Sequence, residues 1–267
     1  MFLPHDVSEV DRDVLTVGLR TTEIDRLQQL RRAGHGDQPA DEIVSGHTIK
    51  FDPQRWTALG DLLPDTAATG LISRADVGAV AVACSRSGRW LPLLVASYVW
   101  GQGLIGYGPA RLERILGTDE SGTHAAQERA EGSLAAAVKA LRVESARRAY
   151  EVLRGDEGIT HLGPAFFTKF LYFAGMEVAA ASGPQPLILD ERLANRMRSV
   201  WESRQVPDAA WRWTDGGWTA YRYEVYLSFL VNAAEALSAQ GQAWTPDLVE
   251  LMLFASDGWG NGGRPER

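Results

Sequence analysis

A long succession of helix-compatible segments, joined by short loops, constrains the fold of this chain more than any other feature. Helical spacing of apolar residues predicts helices at 90–101, 108–116, 123–141, 144–154, 164–179, 191–203, 219–239 and 245–255. Pro109, Pro164 and Pro246 stand where a first helical residue is expected, a position that proline favours. Asp190 precedes another predicted helix as an N-cap. The sequence therefore predicts a mainly α fold.

The first 85 residues are less regular than the rest. Helical spacing covers residues 10–32, whereas residues 43–51 alternate in the manner of a short strand. Asp52, which a proline follows, predicts a further helix start. We therefore expect an N-terminal region at 1–85, with mixed helix and short extended segments, and a helical domain at 86–267.

The composition is that of an ordinary globular protein, and it excludes some kinds of metal centre. Cys84 is the only cysteine, so the chain cannot form an internal disulfide or a cysteine-ligated zinc or iron–sulfur site. The five histidines are scattered without metal-ligand spacing, and we expect no metal site. No apolar run approaches the roughly 20 residues of a membrane span, and the N-terminus lacks the pattern of a signal peptide. We therefore expect a protein of the cytoplasm that does not bind membranes.

The charge is unevenly distributed. The net charge of −7 argues mildly against nucleic acid, because phosphate binding usually leaves a basic surface. Residues 136–155, however, carry five basic against two acidic side chains, and residues 192–204 carry four arginines against one glutamate. Two interpretations stay open, a local basic face or a solvated helix surface.

One lysine lies in an unusually apolar neighbourhood. Lys169 stands in the run His161-Leu-Gly-Pro-Ala-Phe-Phe-Thr-Lys-Phe-Leu-Tyr-Phe-Ala-Gly175. A lysine there either extends to water or is held in a dry pocket, where desolvation favours the neutral, nucleophilic amine. Asp190 follows Lys169 by 21 positions, a separation that fits one helix, one loop and a return. The two side chains could then face one cleft.

This order of elements carries a family resemblance. A basic helix, a hairpin motif at about 155–175, a helix with an internal lysine and an aspartate at the next helix start resemble the helix-hairpin-helix DNA glycosylase superfamily. The match is to its lysine-bearing 8-oxoguanine glycosylase/AP lyase branch and covers roughly 90–255. Thr168-Lys169 and the segment Pro186-Leu-Ile-Leu-Asp190 carry it. The resemblance implies a two-lobed helical fold.

The hairpin departs from the usual pattern of the superfamily. That pattern is Leu-Pro-Gly-x-Gly, in which glycine amides approach a DNA phosphate, whereas this chain has Leu162-Gly-Pro-Ala-Phe-Phe167. The second glycine is absent, and two phenylalanines follow the turn. The chain is therefore most similar to the archaeal 8-oxoguanine branch, whose hairpin is also degenerate.

The resemblance implies a mechanism and a set of DNA contacts. Lys169 would attack the sugar at C1′, form an imine and permit strand cleavage by β-elimination, with Asp190 as the carboxylate near the sugar. The implied partner is double-stranded DNA with a modified base, associated with the nucleoid, and no cofactor or obligatory protein partner is expected. Glycosylases of this type usually act as monomers. The residues that we expect to contact DNA are Gly163, Ala165, Thr168 and Arg192.

A base that leaves the duplex is gripped by flat side chains, and the sequence is rich in them. The segment 96–103 is similar to the helix that contributes base-pocket residues in these enzymes. Gly101 and Gly103 in that segment have a simpler interpretation as the end of a helix. Aromatic residues near the C-terminus are also frequent core residues. The predicted base-pocket residues are Trp100, Gln102, Trp213, Trp218, Tyr221 and Glu224.

Three functions follow as hypotheses. The leading one is a DNA glycosylase with AP lyase activity on 8-oxoguanine. A second is a glycosylase for another or bulkier modified base, including the modified bases of invading phage DNA. A third is a helical DNA-binding module without catalysis, suggested by the acidic charge and the altered hairpin. A Schiff-base enzyme for small carbonyl compounds is less favoured, because such lysines usually lie in β/α barrels and the alternating strands are missing.

Overall fold

The structure is a computed structural model that describes residues 1–63, 68–104, 106–117, 123–214 and 218–256. It is mainly helical, as the sequence predicts. The α-helices in these residues are α1 (Glu9–Val17), α2 (Thr21–His35), α3 (Ala40–Ser45), α4 (Arg74–Ser87), α5 (Leu91–Gln102), α6 (Gly108–Leu116), α7 (Thr123–Val143), α8 (Ala146–Arg154), α9 (Pro164–Glu177), α10 (Glu191–Ser203), α11 (Pro207–Ala210), α12 (Ala220–Ser238) and α13 (Pro246–Ala255). Short 3-10 segments span Pro53–Leu62 and Trp211–Trp213. The antiparallel pair β1 (Thr48–Lys50) and β2 (Leu71–Ser73) places Ile49 opposite Ile72.

The chain divides into two compact units. The first unit combines residues 1–44 with the described residues from 189 onward, and the second unit is the continuous stretch 45–188. The first unit is therefore built from both ends of the chain. The domain boundary that the sequence predicts at residue 85 stays a prediction.

The second unit is organised around α5. Its residues are apolar on all sides and nearly all buried, as expected for a helix that lies inside a core. Helices α4, α6, α7 and α9 all pack against it. Leu93, Leu94 and Val95 have no exposed surface. Because α9 packs against this central helix, α5 fixes the position of the α9 side chains that face it.

The first unit is organised around α12, which packs against α1 and α13. Its buried side chains include Tyr223, Tyr226 and Phe229. Helix α10 packs against α13 and the segment Trp211–Trp213. Many of the aromatic side chains near the C-terminus therefore belong to a core.

Several starts and ends of helices follow local chemistry. Pro164 and Pro246 are first helical residues, whereas Pro109 is the second residue of α6. The side chain of Asp190 accepts a hydrogen bond from the backbone N–H of Leu193, so Asp190 is an N-cap.

The N-terminal helical spacing is divided in the structure. Gly18, with a φ of 58°, ends α1 before α2 begins at Thr21. The predicted strand at 43–51 was partly wrong, since α3 continues to Ser45 and the strand covers Thr48–Lys50. Within the described residues, every helix is too short or too polar to cross a lipid bilayer.

Candidate active site

Lys169 is a buried residue on α9. Only 6% of its surface is exposed, although an ammonium group is costly to remove from water without partners. Its Nζ donates a hydrogen bond to the carbonyl oxygen of Ala165 at 2.6 Å. Nζ also lies 5.5 Å from the ring centroid of Phe166, within the range of a cation–π interaction. The side chain therefore folds back along its own helix and does not extend to water.

Helix α5 approaches the lysine at Gly101. A Cβ atom on Gly101 would lie 2.4 Å from Cδ of Lys169 and 2.7 Å from Cε, closer than real Cβ contacts come. The aliphatic part of the lysine thus lies directly on the backbone of α5. This contact excludes water from one side of the side chain.

An aromatic stack lies beside the lysine. Tyr98 and Phe166 are parallel, with ring centroids 4.1 Å apart and an interplanar angle of 16°. The hydroxyl of Tyr98 is buried and has no hydrogen-bond partner among the described residues. Burial raises the pKa of Tyr98 to about 12, against a smaller opposing effect of the positive charge of Arg111. Tyr98 therefore stays neutral at physiological pH.

The hairpin loop (residues 155–163) leads from α8 into α9. Gly158 is required there, because a Cβ would lie 2.4 Å from the carbonyl oxygen of Leu153. His161 adopts a left-handed φ of 67°. Gly163 is the exposed N-cap of α9, and a Cβ on it would meet nothing within 4 Å. The loop thus leaves the start of α9 accessible.

The other residues predicted to contact DNA differ in accessibility. Ala165 is half-buried, and its carbonyl oxygen accepts the lysine hydrogen bond. Thr168 is fully buried and donates its hydroxyl to the carbonyl oxygen of Pro164 at 2.7 Å. Arg192 is half-buried in the first unit, with its guanidinium 4.9 Å from the ring centroid of Phe254. Their contacts with DNA stay predictions.

Asp190 belongs to the first unit, whereas Lys169 belongs to the second. One carboxylate oxygen of Asp190 accepts the N–H of Leu193 at 3.1 Å. Asp190 therefore lies at the N-terminal, positive end of the α10 dipole. The N-cap role that the sequence predicts is confirmed, and the catalytic role of Asp190 stays a prediction.

Two predicted base-pocket residues lie on α5 in the second unit. Trp100 is 5% exposed and packs edge-on against His47 and Phe173, while the Arg74 guanidinium lies 5.2 Å from its centroid. Gln102 is buried, with its side chain so close to Gly108 that a Cβ there would lie 2.2 Å from Cγ. Both side chains are packed among residues of the protein in this structure.

The remaining predicted base-pocket residues lie in the first unit. Trp213 is fully buried and meets Trp201 edge-on, with ring centroids 5.2 Å apart. Trp218 is also buried, whereas Tyr221 and Glu224 are half-buried. The structure thus distributes the six predicted residues over two units, and their contacts with a base stay predictions.

Tyr221 takes part in a buried polar cluster around Asp11. Asp11 accepts hydrogen bonds from Arg222 at 2.7 Å, Tyr221 at 2.8 Å and the indole N–H of Trp201 at 2.9 Å. Burial alone would raise the pKa of Asp11, but the charge and hydrogen bond of Arg222, with hydrogen bonds from Ser8 and Tyr221, bring it below its ordinary value. This cluster joins α1 to α12, so the structure gives Tyr221 a clear structural role.

The basic stretches are partly neutralised. In residues 192–204, Arg196 is buried and donates to the carbonyl oxygen of Ser256, and Arg204 pairs with Glu23 at 2.6 Å. In residues 136–155, by contrast, Lys139, Arg142 and Arg154 are exposed. Of the two basic stretches, the one on α7 and α8, in the unit that contains Lys169, therefore keeps more exposed positive charge.

A cavity of about 800 Å³ opens beside the hairpin loop. Charged side chains from three elements line it, including Arg114 of α6, Arg129 of α7 and Asp156 of the loop. Lys169 does not line this cavity. The cavity is therefore not assigned to the chemistry of the lysine. Among the residues that the structure describes, no three histidine, cysteine or acidic side chains are grouped to hold a metal ion.

The sequence did not single out Tyr98 and Gly101 as neighbours of the lysine. Tyr98 and Gly101 lie on the same face of α5, because residues three apart on a helix are adjacent. The sequence contained one indication of this contact, a glycine within an apolar helical pattern. Such a glycine often marks the close approach of another element. Which element approaches it depends on tertiary packing.

The mainly helical fold, and the short hairpin loop that leads into a helix with a buried lysine, agree with the order of elements in the DNA glycosylases that the sequence resembles. Residues 42–254 match a protein family described as "Putative 8-oxoguanine DNA glycosylase OGG-like protein". The chain belongs to this family, since the match covers well over half of its length. Comparisons with curated proteins and with solved structures gave no match.

Proposed function

We propose that this protein is a DNA glycosylase with AP lyase activity, in which Lys169 is the nucleophile and 8-oxoguanine the base removed. The observation that carries the proposal is the burial of Lys169 on the helix that follows the hairpin loop. Membership of the family supports base excision, and the resemblance supplies the imine chemistry. The protein would act as a monomer on nucleoid DNA in the cytoplasm.

The chemistry requires a neutral amine at Nζ. The amine attacks C1′ of the target nucleotide, the bond from C1′ to the base breaks, and the base leaves with the electron pair and takes up a proton. Opening of the sugar ring gives an imine between Nζ and C1′. Loss of a C2′ proton then expels the 3′ phosphate and cuts the strand.

At rest the amine of Lys169 donates to the Ala165 carbonyl oxygen and lies beside the Phe166 ring. Attack needs a lone pair on Nζ, so a base must take a proton from the amine during the reaction. We propose that the carboxylate of Asp190 assists this step and stabilises positive charge on the sugar. The order of elements shared with the 8-oxoguanine glycosylases supports this assignment, since Asp190 begins the helix that follows α9 along the chain.

Exposed positive charge on α7 and α8 would attract the DNA backbone. Lys139, Arg142 and Arg154 lie on α7 and α8, which pack against α9 or against each other. Gly163 offers an accessible helix start, where backbone N–H groups bind phosphate well. Together they are the DNA contacts that the second unit would supply.

Borohydride trapping tests the proposal. Hydride reduces the imine to an amine and leaves the protein covalently attached to DNA that carries the right lesion. The panel should contain duplexes with 8-oxoguanine opposite each normal base, a duplex with an abasic site, other modified bases and modified phage DNA. Released base and cut strands are measured in parallel.

Lys169→Gln should give no trapped complex, and Lys50→Gln, which changes an exposed lysine outside the proposed DNA contacts, is the matched control. If trapping occurs only with a bulkier base, that base, and not 8-oxoguanine, is the substrate. DNA binding without base release or trapping on the whole panel, unaffected by Lys169→Ala, would show a binding module and overturn the proposal.

A further inference from the structure

Gly101 occupies a helical position where glycine has no conformational purpose. It is the penultimate residue of α5, and it is not among the glycines with a positive φ. Gly103, which does end the helix, has a φ of 57°. Alanine is a better helix former than glycine, so local structure disfavours glycine at residue 101. The reason for this residue must lie in packing.

The packing partner of Gly101 is the side chain of Lys169. The three atoms nearest to a Cβ on Gly101 would all belong to that lysine, with Cδ at 2.4 Å, Cε at 2.7 Å and Nζ at 3.7 Å. Even one methyl group would therefore occupy the space of the lysine. The flexible end of the lysine is the part that would have to move.

The lysine is also held by its own helix. The hydrogen bond to Ala165 fixes Nζ one turn back along α9, and the ring of Phe166 lies beside it. Phe166 is itself stacked on Tyr98 of α5. The aliphatic chain thus runs between the backbone of α5 and the first turn of α9.

We propose that Gly101 is a positioning residue, whose missing side chain lets α5 hold Lys169 in its folded-back, water-excluded conformation. Its effect on catalysis rests on the proposed function, but its effect on the conformation of the lysine does not. Reaction rates depend on placement, since displacing a reacting group by about 1 Å can cost about 100-fold. Gly101→Ala should therefore displace the amine and slow its chemistry.

The chain offers a matched control for this substitution. Gly78 lies within α4, which also packs against α9, and a Cβ there would meet the sulfur of Met176 at 3.6 Å, an ordinary contact. Gly78→Ala and Gly101→Ala make the same chemical change and the same gain in helix propensity. A difference between them therefore reports the contact with Lys169.

Chemical labelling tests the conformation without a DNA substrate. The chain has three lysines, and Lys50 and Lys139 are exposed. Reductive methylation with formaldehyde and a mild borohydride, followed by peptide mass spectrometry, gives the rate for each lysine. Lys169 should react much more slowly than the other two in the wild type and in Gly78→Ala, and should lose this protection in Gly101→Ala. Equal protection of Lys169 in all three proteins would overturn the proposal.

Borohydride trapping on DNA under single-turnover conditions gives the catalytic effect. For Gly101→Ala we expect a rate lower by about 100-fold with little change in the dissociation constant for DNA, because the lysine is displaced and the DNA contacts are not. An unchanged rate would overturn the role in positioning. A wild-type protein that traps no lesion would overturn the proposed function, while the labelling result would still decide the role of Gly101.

A stability comparison keeps the test valid if Gly101→Ala folds poorly. Lys169→Ala removes the side chain that the new methyl group would strike. The double variant Gly101→Ala/Lys169→Ala should then be at least as stable as Lys169→Ala alone, as judged by the midpoint of thermal unfolding. Gly101→Ala could instead lower the midpoint as much in the Lys169→Ala background as it does in the wild type. The methyl group would then clash with something other than the lysine, and the proposal would fail.

Discussion

The Nζ atom of Lys169 lies 2.6 Å from the carbonyl oxygen of Ala165, so the nucleophile that we propose is tied to its own helix. This carbonyl oxygen lies four residues earlier and already belongs to the hydrogen-bond ladder of α9. Breaking the contact with the lysine therefore leaves no carbonyl group unsatisfied. The amine can be released toward a substrate without disturbing the helix.

Lys169→Met should retain stability and lose chemistry. Methionine has a flexible unbranched side chain of similar length, and it removes a buried ammonium group. We expect the free energy of unfolding in urea to stay within about 1.5 kcal/mol of the wild type, while borohydride trapping disappears. A loss of several kcal/mol would instead show that the fold depends on the ammonium.

Asp11→Asn should destabilise the first unit. Arg222 is 3% exposed and would be left without its charged partner, so the free energy of unfolding at pH 7 should fall by about 3–5 kcal/mol. The control is Asp13→Asn, an exposed change on the same helix, which should stay within about 0.5 kcal/mol of the wild type.

The same variant predicts a pH dependence. The folded-state pKa of Asp11 lies below its ordinary value of 3.8, so its contribution is fully present above pH 3.8 and is lost as the pH falls through the folded-state pKa. The difference in unfolding free energy between the wild type and Asp11→Asn should therefore shrink below pH 4. Urea denaturation at a series of acidic pH values measures it, and a constant difference would contradict the assignment.

Tyr98→Phe should raise the free energy of unfolding at pH 7 by about 1 kcal/mol, because it removes a buried hydroxyl without a partner among the described residues. The stack on Phe166 needs only the ring and should persist. Since the folded-state pKa is about 12 and the ordinary value 10, the wild type should lose stability between pH 10 and 12 through this group. The variant should lose less, whereas Tyr107→Phe, which changes an 85% exposed tyrosine, should match the wild type.

Gly158→Ala should distort the hairpin loop, because its methyl group would strike the carbonyl oxygens of Leu153 and Gly155. Backbone atoms cannot move aside cheaply, and we expect a loss of about 1–3 kcal/mol in unfolding free energy. Gly163→Ala has open space around it and should cost less, about 1 kcal/mol or below for a weaker N-cap. Thermal unfolding ranks the two, and equal losses would contradict the steric argument.

Much of the helical architecture was predictable because its signals are local. Apolar spacing and caps such as Pro164 and Asp190 place helix starts and ends within about two residues. The break at Gly18 was missed, because the apolar spacing continues across it and only the backbone conformation ends the helix.

The candidate site was predictable in part. The apolar run around Lys169 left two interpretations open, extension to water or a dry pocket, and the structure shows that the side chain is buried. The surroundings of Tyr221 could not be predicted, because its partner Asp11 lies 210 positions away in the sequence. The contact between Gly101 and Lys169 depends in the same way on how two distant helices pack.

The division of the chain has a consequence for its synthesis. Helices α1 and α2 leave the ribosome well before their partners α12 and α13 are made. At about 5–20 residues per second, the roughly 210 residues between α2 and α13 take about 10–40 s to translate. Residues 45–188 are continuous and can pack during that interval. The apolar faces of α1 and α2 stay exposed until α12 and α13 are made. The nascent chain therefore exposes α1 and α2 to chaperones during the interval before α12 and α13 are made.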